Sequence, residues 1–261
     1  MKLASRLTDG AQLSVGLLTV VPVGSPRADR ETAGPAIWCA PLVGAGLGAT
    51  AGLAAWGLGE LGTSTLIAAI GVVGVLAALT RGLHLDGLAD TADGLGSRKE
   101  AAGALTVMKA SDIGPFGVVT VVFALLLQVA AIGALLAAGP DHHAVAILAL
   151  ACATARIPVA WACRNGMPAA REDGLGALVA GTVSGAAAGV WAGTALWVGA
   201  LVGVLTDVGA LRAVVAVALA LLAAGALLEH CRRRFGGMTG DVLGALVETA
   251  MTVALVALST T

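Results

Sequence analysis

The stretch 81–96 reads RGLHLDGLADTADGLG; it follows a long apolar run and carries three aspartates. Asp86, Asp90 and Asp93 are spaced i, i+4 and i+7, so an α-helix would project their carboxylates from one face. Carboxylates stacked in this way repel one another unless a cation neutralises them. Mg²⁺ is commonly held by one or two carboxylates together with substrate phosphates. The stretch therefore predicts a metal-dependent phosphoryl-transfer site beside a membrane domain; the alternative is a solvated, acidic helix end.

The composition is that of a membrane protein. Of the 261 residues, 58% are hydrophobic and 12% are charged, and the formal net charge is −1. Such a chain is typical of an all-α bundle of membrane-spanning helices. Its near-neutral charge argues against a nucleic-acid-binding protein, which would show a basic face. The four cysteines are scattered without metal-type spacing, so we expect no disulfide framework. We expect one membrane-embedded domain over residues 1–261, without a separate soluble domain.

Apolar runs predict about seven transmembrane helices. The stretch 13–21 is too short to span a bilayer and is expected to be buried or interfacial, and Pro22, Pro26 and Pro35 are expected to break any helix before the first span. A turn at 60–65 precedes the second span, which ends near residue 80. The other predicted spans are 37–59, 116–138, 144–163, 186–205, 213–228 and 242–258.

Basic residues predict the orientation of this bundle. With seven spans, the N-terminal region and the polar loops 81–115, 164–184 and 229–241 fall on one side, and almost all Lys and Arg lie there. The opposite side has only Arg212. By the positive-inside rule, the N-terminus and the three loops are cytoplasmic. We therefore expect an integral protein of the cell (inner) membrane whose active site faces the cytoplasm.

Three polar residues near the first two loops are candidate substrate contacts. Lys109 is placed to neutralise a phosphate, although it also suits a positive-inside anchor for the next span. Arg156 lies inside an apolar run, where a guanidinium is costly unless it faces a cavity or snorkels to the headgroups. Its fork suits bidentate phosphate binding. Asn165 follows in the second loop and is a further candidate contact.

The third loop leads into the last span with glycines and two acids. Gly237, Thr239 and Gly240 stand before a predicted helix start, where free backbone N–H groups can bind an anion. Asp241 stands at the expected N-cap of that helix. Glu248 lies deeper in the span, where a carboxylate without a partner is energetically unfavourable. We therefore expect it to face the same polar cavity.

These stretches together resemble the signature of the cobalamin synthase (adenosylcobinamide-GDP ribazoletransferase) family. The run GLHLDGLADTADG at 82–94 is similar to that family's G-[FL]-H-L-D-G-L-A-D-x-x-D-G. Other similar stretches are LTVVPV at 18–23, APLVG at 40–44, EDGLG at 172–176 and GGMTGDVLGA at 236–245, so the resemblance covers nearly the whole chain. One departure is MKASDIG at 108–114, where the family usually has M-[KR]-D-[SP]-R-[IVL]-G; Ala110 replaces an acid and Asp112 a basic residue.

The resemblance implies a reaction that joins adenosylcobinamide-GDP to α-ribazole, or to its 5′-phosphate, with release of GMP. A ribose hydroxyl attacks the phosphate bonded to the cobinamide arm, in a Mg²⁺-assisted transfer where positioning and charge neutralisation supply most of the rate. The implied partners are these two substrates and the lipid bilayer. Self-association and other enzymes of cobalamin assembly are further partners to be tested.

The resemblance also implies roles for the acidic residues. Asp86, Asp90 and Asp93 are expected to bind the metal, with Asp241 as a further ligand. The acceptor of the hydroxyl proton stays open between these aspartates and His84, which also suits a phosphate donor or a helix-end hydrogen bond.

Two other function classes share some of these features. The stretch DTADG at 90–94 matches the opening of the CDP-alcohol phosphotransferase motif of lipid synthesis. That motif's following A-R and its downstream G-x-x-x-D-x-x-x-D are missing. A cation-coupled transporter would hold carboxylates near the bilayer midplane in broken helices. Here the acids cluster at one end of the predicted spans, which favours a surface active site.

Overall fold

A computed structural model of the chain describes residues 3–139 and 141–260. Over these residues the protein forms eleven α-helices and no β-strand, which confirms the all-α prediction. The helices are α1 (Leu3–Leu18), α2 (Arg30–Glu60), α3 (Thr65–Thr80), α4 (Leu83–Gly96), α5 (Ala101–Val107), α6 (Pro115–Ala138), α7 (His143–Ala162), α8 (Gly174–Val179), α9 (Gly185–Leu205), α10 (Ala210–Phe235) and α11 (Gly240–Ser259).

The helix lengths agree with a bundle of six to seven membrane spans. In the described part of the chain six helices are long and apolar enough to cross a bilayer, namely α2, α6, α7, α9, α10 and α11. The pair α3 and α4 passes the same test together, although the two helices meet at an angle of 89°. Counting this bent pair as one span gives the seven that the apolar runs predict.

The N-terminal region is more helical than its prolines predict. α1 covers sixteen residues instead of the short segment expected at 13–21, and it packs along α2. The Asp29 side chain caps α2, accepting a 3.0 Å hydrogen bond from the Thr32 backbone N–H. The prediction that Pro35 ends any helix is wrong, because α2 runs through it. The side chain of Pro35 packs against Gly10 of α1, and tertiary packing of this kind offsets one lost backbone hydrogen bond.

Glycines allow α2 and α7 to pack backbone against backbone. Gly44, Gly48 and Gly52 recur every fourth residue of α2, on the face that meets α7. A Cβ on Gly52 would lie 2.5 Å from the Cα of Val145, and Cβ atoms on the other two would clash with the α7 backbone as well. Small residues at this spacing are typical of tightly packed membrane helices. The two helices therefore form the most extensively packed pair of the bundle.

The connections that carry polar motifs meet at one end of the bundle, which we name the loop end. It comprises the connections 81–114, 163–184 and 236–239. Lys109 contacts Asp173 at 2.9 Å, and Arg171 donates a 2.9 Å hydrogen bond to the Leu105 carbonyl. The connections 61–64 and 206–209 lie at the other end. The chain thus gathers its three motif-bearing loops at one end of the bundle.

These loops contain more helix than the sequence predicts. The segment 81–115, expected to be a loop, contains α4 and α5, and the segment 164–184 contains α8. α10 continues to Phe235, seven residues beyond the predicted span end at 228, and Gly236 ends it with a φ of 81°. The loop end is therefore a set of short helices packed on the bundle, and this fixes the positions of its polar side chains.

Candidate functional site

A sharp turn between α3 and α4 positions the first motif. Arg81 and Gly82 both adopt the left-handed conformation, with φ values of 56° and 67°. Glycine takes this conformation without strain, whereas an arginine rarely does. The turn directs α4 at 89° to α3. α4 is helical over Leu83–Gly96, so the aspartates do have the helical spacing that the sequence predicts.

Two glycines bring α4 against the start of α11. A Cβ on Gly87 would lie 2.6 Å from the Asp241 carbonyl oxygen, and one on Gly244 would lie 3.1 Å from the His84 carbonyl oxygen. No side chain fits between the helices at this crossing. The close approach sets Asp241 beside the acidic face of α4, although the two segments are separated by about 150 residues of sequence.

Three carboxylates converge at this crossing, and we name Asp86, Asp90 and Asp241 the acidic centre. Asp90 is half-buried, and it is repelled by Asp86 and Asp241 and, third in order, by Asp93. Arg171 lies 3.5 Å from the Asp241 carboxylate, and the charge of Lys109 also attracts that carboxylate. The Thr239 hydroxyl donates a 3.2 Å hydrogen bond to the same carboxylate. Three carboxylates thus share one closely placed arginine, and their mutual repulsion is only partly offset.

The donor set fits Mg²⁺ in its chemistry. Carboxylate oxygens are the hard ligands that Mg²⁺ takes, and this ion usually keeps waters and substrate phosphates in its remaining positions. As they stand, the side chains of the described residues form no group of three or more His, Cys, Asp or Glu that could hold a metal ion by itself. Mg²⁺ at the acidic centre would therefore need further ligands from water or from a substrate phosphate.

Asp93 has different partners from the other two aspartates of α4. It is 6% exposed, and its two carboxylate oxygens accept hydrogen bonds from the backbone N–H groups of Gly114 (2.7 Å) and Gly117 (2.9 Å). Those N–H groups belong to the first turn of α6, where they have no partner within the helix. The Asp93 carboxylate therefore ties α4 to the start of α6.

Two cavities flank Asp241. The first, which we name the apolar cavity, has a volume of about 300 Å³ and lies between α1, α2, α4 and α11. Asp86, Asp241, His84 and Arg81 line one part of it, and aliphatic side chains line most of the rest. The second, the loop cavity, has a volume of about 210 Å³ and is lined by Arg171, Asp173 and the start of α11. Asp241 and Gly240 belong to both walls, whereas Asp86 lines only the apolar cavity and Asp90 lines neither. The acidic centre thus meets both cavities through Asp241.

A buried polar network lies beneath His84. Gln128 of α6 donates a 2.8 Å hydrogen bond to the Glu248 carboxylate, and Arg156 of α7 donates one of 2.8 Å to the Cys152 carbonyl. All of these side chains are at most 6% exposed. They surround a cavity of about 20 Å³ that His84 separates from the apolar cavity. The structure thus places Arg156 and Glu248, two predicted substrate contacts, in the interior of the bundle.

The other predicted substrate contacts occupy the loop end. Lys109 is exposed and paired with Asp173 at the rim of the loop cavity. Thr239 is the N-cap of α11, accepting a 3.2 Å hydrogen bond from the Val242 N–H, and Gly240 follows in the cavity wall. Gly237 packs against the backbone of the second loop, since a Cβ there would lie 2.5 Å from the Pro168 carbonyl oxygen.

Asn165 is bound to the protein's own backbone. With its amide oriented to satisfy both polar atoms, its nitrogen donates to the carbonyls of Gly181 (2.7 Å) and Val183 (3.3 Å). Its backbone N–H also donates to Val183, at 2.9 Å. Asn165 therefore closes the second loop onto itself.

Two residues of the site are missing from the sequence-based prediction. Arg171 stands directly before the EDGLG stretch, and that position was a signal for a role in the same loop. Ser14 of α1 lines the apolar cavity, and nothing in the surrounding sequence marks it. Residues of this kind become recognisable only when helices distant in sequence are brought together.

The fold and the site define a multi-pass membrane protein with an acidic centre between two cavities at one end of its helix bundle. A protein-family model described as cobalamin-5-phosphate synthase matches residues 10–259, and the chain belongs to that family. It is therefore a transferase of cobalamin biosynthesis, as the resemblance of its motifs predicts.

Curated relatives extend over nearly the whole chain. A protein of Frankia casuarinae named adenosylcobinamide-GDP ribazoletransferase is 41% identical over 96% of this chain and 94% of its own length. Proteins with the same name from a Nocardioides species and from Azorhizobium caulinodans are 40% and 36% identical, over 96% and 93% of this chain and 98% and 92% of their own lengths. No solved structure matches the chain.

Proposed function

We propose that this protein is an adenosylcobinamide-GDP ribazoletransferase that forms a phosphodiester between the cobinamide arm and the ribose of α-ribazole or its phosphate. The observation that carries the proposal is the position of the acidic centre between two cavities. A transferase that joins two large substrates needs one volume for the activated donor and another for the acceptor. The family and the named relatives supply the reaction.

The carboxylates of Asp86, Asp90 and Asp241 would hold Mg²⁺. The ion, when bound, neutralises charge on the phosphates and polarises the phosphorus that is attacked. Asp93 is assigned a positioning role, because both of its oxygens are used by the first turn of α6. Arg171 pairs with Asp241 at 3.5 Å, and a diphosphate in the loop cavity would compete for that guanidinium.

The start of α11 provides a second group of diphosphate contacts. Its first backbone N–H groups and the positive end of its dipole lie at Gly240, in the wall of the loop cavity. Lys109 at the rim adds a mobile positive charge once it is released from Asp173. The donor's diphosphate thus meets positive charge on one side and the acidic centre on the other.

His84 and the carboxylates of the acidic centre are the proposed candidates for the acceptor of the ribose hydroxyl proton. Its Nε2 has no hydrogen-bond partner among the described residues, and the ring lies in the wall of the apolar cavity beside Asp86. In the reaction the ribose oxygen forms a bond to the phosphorus on the cobinamide arm, the bond from that phosphorus to GMP breaks, and the proton passes to His84 or to a carboxylate of the acidic centre.

Activity of the purified protein tests this proposal. Protein in liposomes is mixed with adenosylcobinamide-GDP and α-ribazole phosphate, with Mg²⁺ or with excess chelator, and GMP and the corrinoid product are measured. We expect equal amounts of both products with Mg²⁺ and neither with chelator. Product formation that chelator leaves unchanged would disprove the metal assignment, and no product from folded protein would disprove the reaction.

The loop end is proposed to face the cytoplasm. Nearly all basic residues lie there, including Arg98 and Lys99, whereas Arg212 stands near the other end. Single cysteines at Glu100 (loop end) and Leu61 (opposite end), in a variant without native cysteines, report the orientation. We expect a membrane-impermeant maleimide to label intact cells at position 61 and to label position 100 only after permeabilisation; the reverse pattern would overturn the orientation.

A further inference from the structure

The apolar cavity is enclosed on most sides by aliphatic side chains. Leu17 comes from α1, Ile37 and Ala40 come from α2, and Leu243 and Val247 come from α11. Its volume of about 300 Å³ is at the lower end of the range of small-molecule sites, roughly 300–1,000 Å³. The cavity therefore suits a compact ligand with few polar atoms, and it opens toward the acidic centre.

One polar atom in the apolar wall lacks a partner. Ser14 is 1% exposed, and its Oγ makes no hydrogen bond with any described residue. A buried hydroxyl without a partner is unfavourable, and most such groups in proteins are satisfied. Because Ser14 lines the apolar cavity, a ligand with one hydrogen-bonding atom at this position would satisfy it.

We propose that the apolar cavity binds the base of the acceptor nucleoside and that the Ser14 hydroxyl donates to its free ring nitrogen. This inference rests on the proposed function, whose acceptor is the riboside of dimethylbenzimidazole. That base is a flat apolar bicycle with two methyl groups, and after glycosylation one acceptor nitrogen remains. Guanine, the base of the donor, has several donors and acceptors that an aliphatic wall would leave unpaired. The corrin macrocycle is too large for the cavity.

The same placement orients the sugar. His84, Asp86 and Asp241 line the polar part of the apolar cavity, so a base among the aliphatic side chains leaves its ribose beside these groups. The hydroxyl that attacks would then stand between His84 and the acidic centre. Base recognition thus acts on catalysis by positioning the nucleophile.

A matched pair of acceptors tests the hydrogen bond from Ser14. The first is α-ribazole, and the second is its indole analogue, in which a C–H replaces the free ring nitrogen. In the native protein we expect kcat/KM to be roughly 3- to 10-fold higher for α-ribazole, as one hydrogen bond predicts. Ser14→Ala should abolish this preference and leave the KM for adenosylcobinamide-GDP unchanged. A preference that persists in Ser14→Ala would overturn the assignment of Ser14.

Filling the cavity tests the location of the base. Ala40→Leu adds three carbons at the wall, and we expect it to raise the KM for α-ribazole at least tenfold while the KM for adenosylcobinamide-GDP changes less than twofold. Gly46→Leu is the control, since Gly46 lies on the same helix with open space around its Cα. If Ala40→Leu raises the KM for the corrinoid instead, the cavity belongs to the donor and the inference is wrong.

These experiments distinguish failure of the proposed function from failure of the proposed base-binding site. If the native protein forms no product from adenosylcobinamide-GDP and α-ribazole, the proposed function itself is refuted. If it forms product but treats the two acceptors alike, the reaction stands and the base-binding site is refuted. Should Ala40→Leu fail to fold, the acceptor comparison in Ser14→Ala decides the question, because that change removes only one oxygen atom.

Discussion

Replacing Asp93 with asparagine should separate stability from catalysis within the motif of α4. The native carboxylate accepts hydrogen bonds from the backbone N–H groups of Gly114 and Gly117, at 2.7 and 2.9 Å. Asparagine keeps one oxygen acceptor and turns an NH₂ group toward the other N–H donor. One hydrogen bond is lost, and the remaining one no longer has a charged acceptor.

The cost follows from these contacts. A hydrogen bond to a charged group contributes about 1.5–3 kcal/mol, and a buried N–H left without a partner costs about 1–3 kcal/mol. We expect Asp93→Asn to lower the free energy of unfolding by about 2–4 kcal/mol. With roughly 2–4 °C per kcal/mol for a chain of this size, Tm falls by roughly 4–16 °C. Asp112→Asn makes the same change at an exposed site of the adjacent connection and should leave Tm unchanged.

The assay measures Tm in metal-free detergent solution and then turnover as a function of Mg²⁺ concentration at a temperature where the variant is folded. We expect Asp93→Asn to require the same Mg²⁺ concentration for half-maximal activity as the native protein. An unchanged Tm together with a tenfold higher Mg²⁺ requirement would refute this reasoning and identify Asp93 as a metal ligand.

Three further predictions concern neighbouring contacts. Asp90→Asn should lower turnover by roughly 100-fold or more, since it removes charge from the acidic centre. The Tm of this variant without metal should equal or exceed that of the native protein, because a repelled carboxylate is lost. A lower Tm would argue against the proposed repulsion. Gly87→Ala should cost about 1–3 kcal/mol of stability, measured by thermal unfolding, and lower turnover, because its Cβ would lie 2.6 Å from the Asp241 carbonyl oxygen. Gln128→Leu removes the 2.8 Å hydrogen bond to Glu248 and should cost about 1–3 kcal/mol in the same measurement, which Glu248→Leu in the same chain should largely restore.

Local periodicity predicts much of this fold, and tertiary contacts account for the differences. The apolar runs identify the spans because a bilayer demands helices of that length. Pro35 led to a wrong prediction of a helix break. A proline breaks a helix only when packing does not offset the lost backbone hydrogen bond, and here α1 packs against Pro35. The segment 81–115 is rich in polar residues and glycine, yet it forms helices because the bundle provides a surface for α4 and α5.

The site, like the fold, is predicted in part from local sequence and is completed by tertiary contacts. The helical spacing of Asp86, Asp90 and Asp93 is visible in the sequence, but their partners are not, and the N–H groups that bind Asp93 come from a helix that begins about 20 residues later. Arg156 suggests a phosphate ligand because an arginine in an apolar run needs a polar partner. In the structure it is buried and donates to the Cys152 carbonyl of its own helix, and its Nε has no partner among the described residues. The position of Ser14 in the cavity wall depends on the packing of α1 against α2, which no local pattern encodes.

The close packing of α2 against α7 limits which substitutions this family can accept. Gly44, Gly48 and Gly52 have α7 backbone where a methyl group would stand, so evolutionary drift at these positions is restricted to glycine unless both helices shift together. Lipid-facing positions of α6 and α9 carry no such restriction, since any apolar side chain can face the acyl chains. The abundance of glycine in this chain is therefore partly a record of structural constraint, and comparisons of homologues should show substitution rates that differ between these two surfaces.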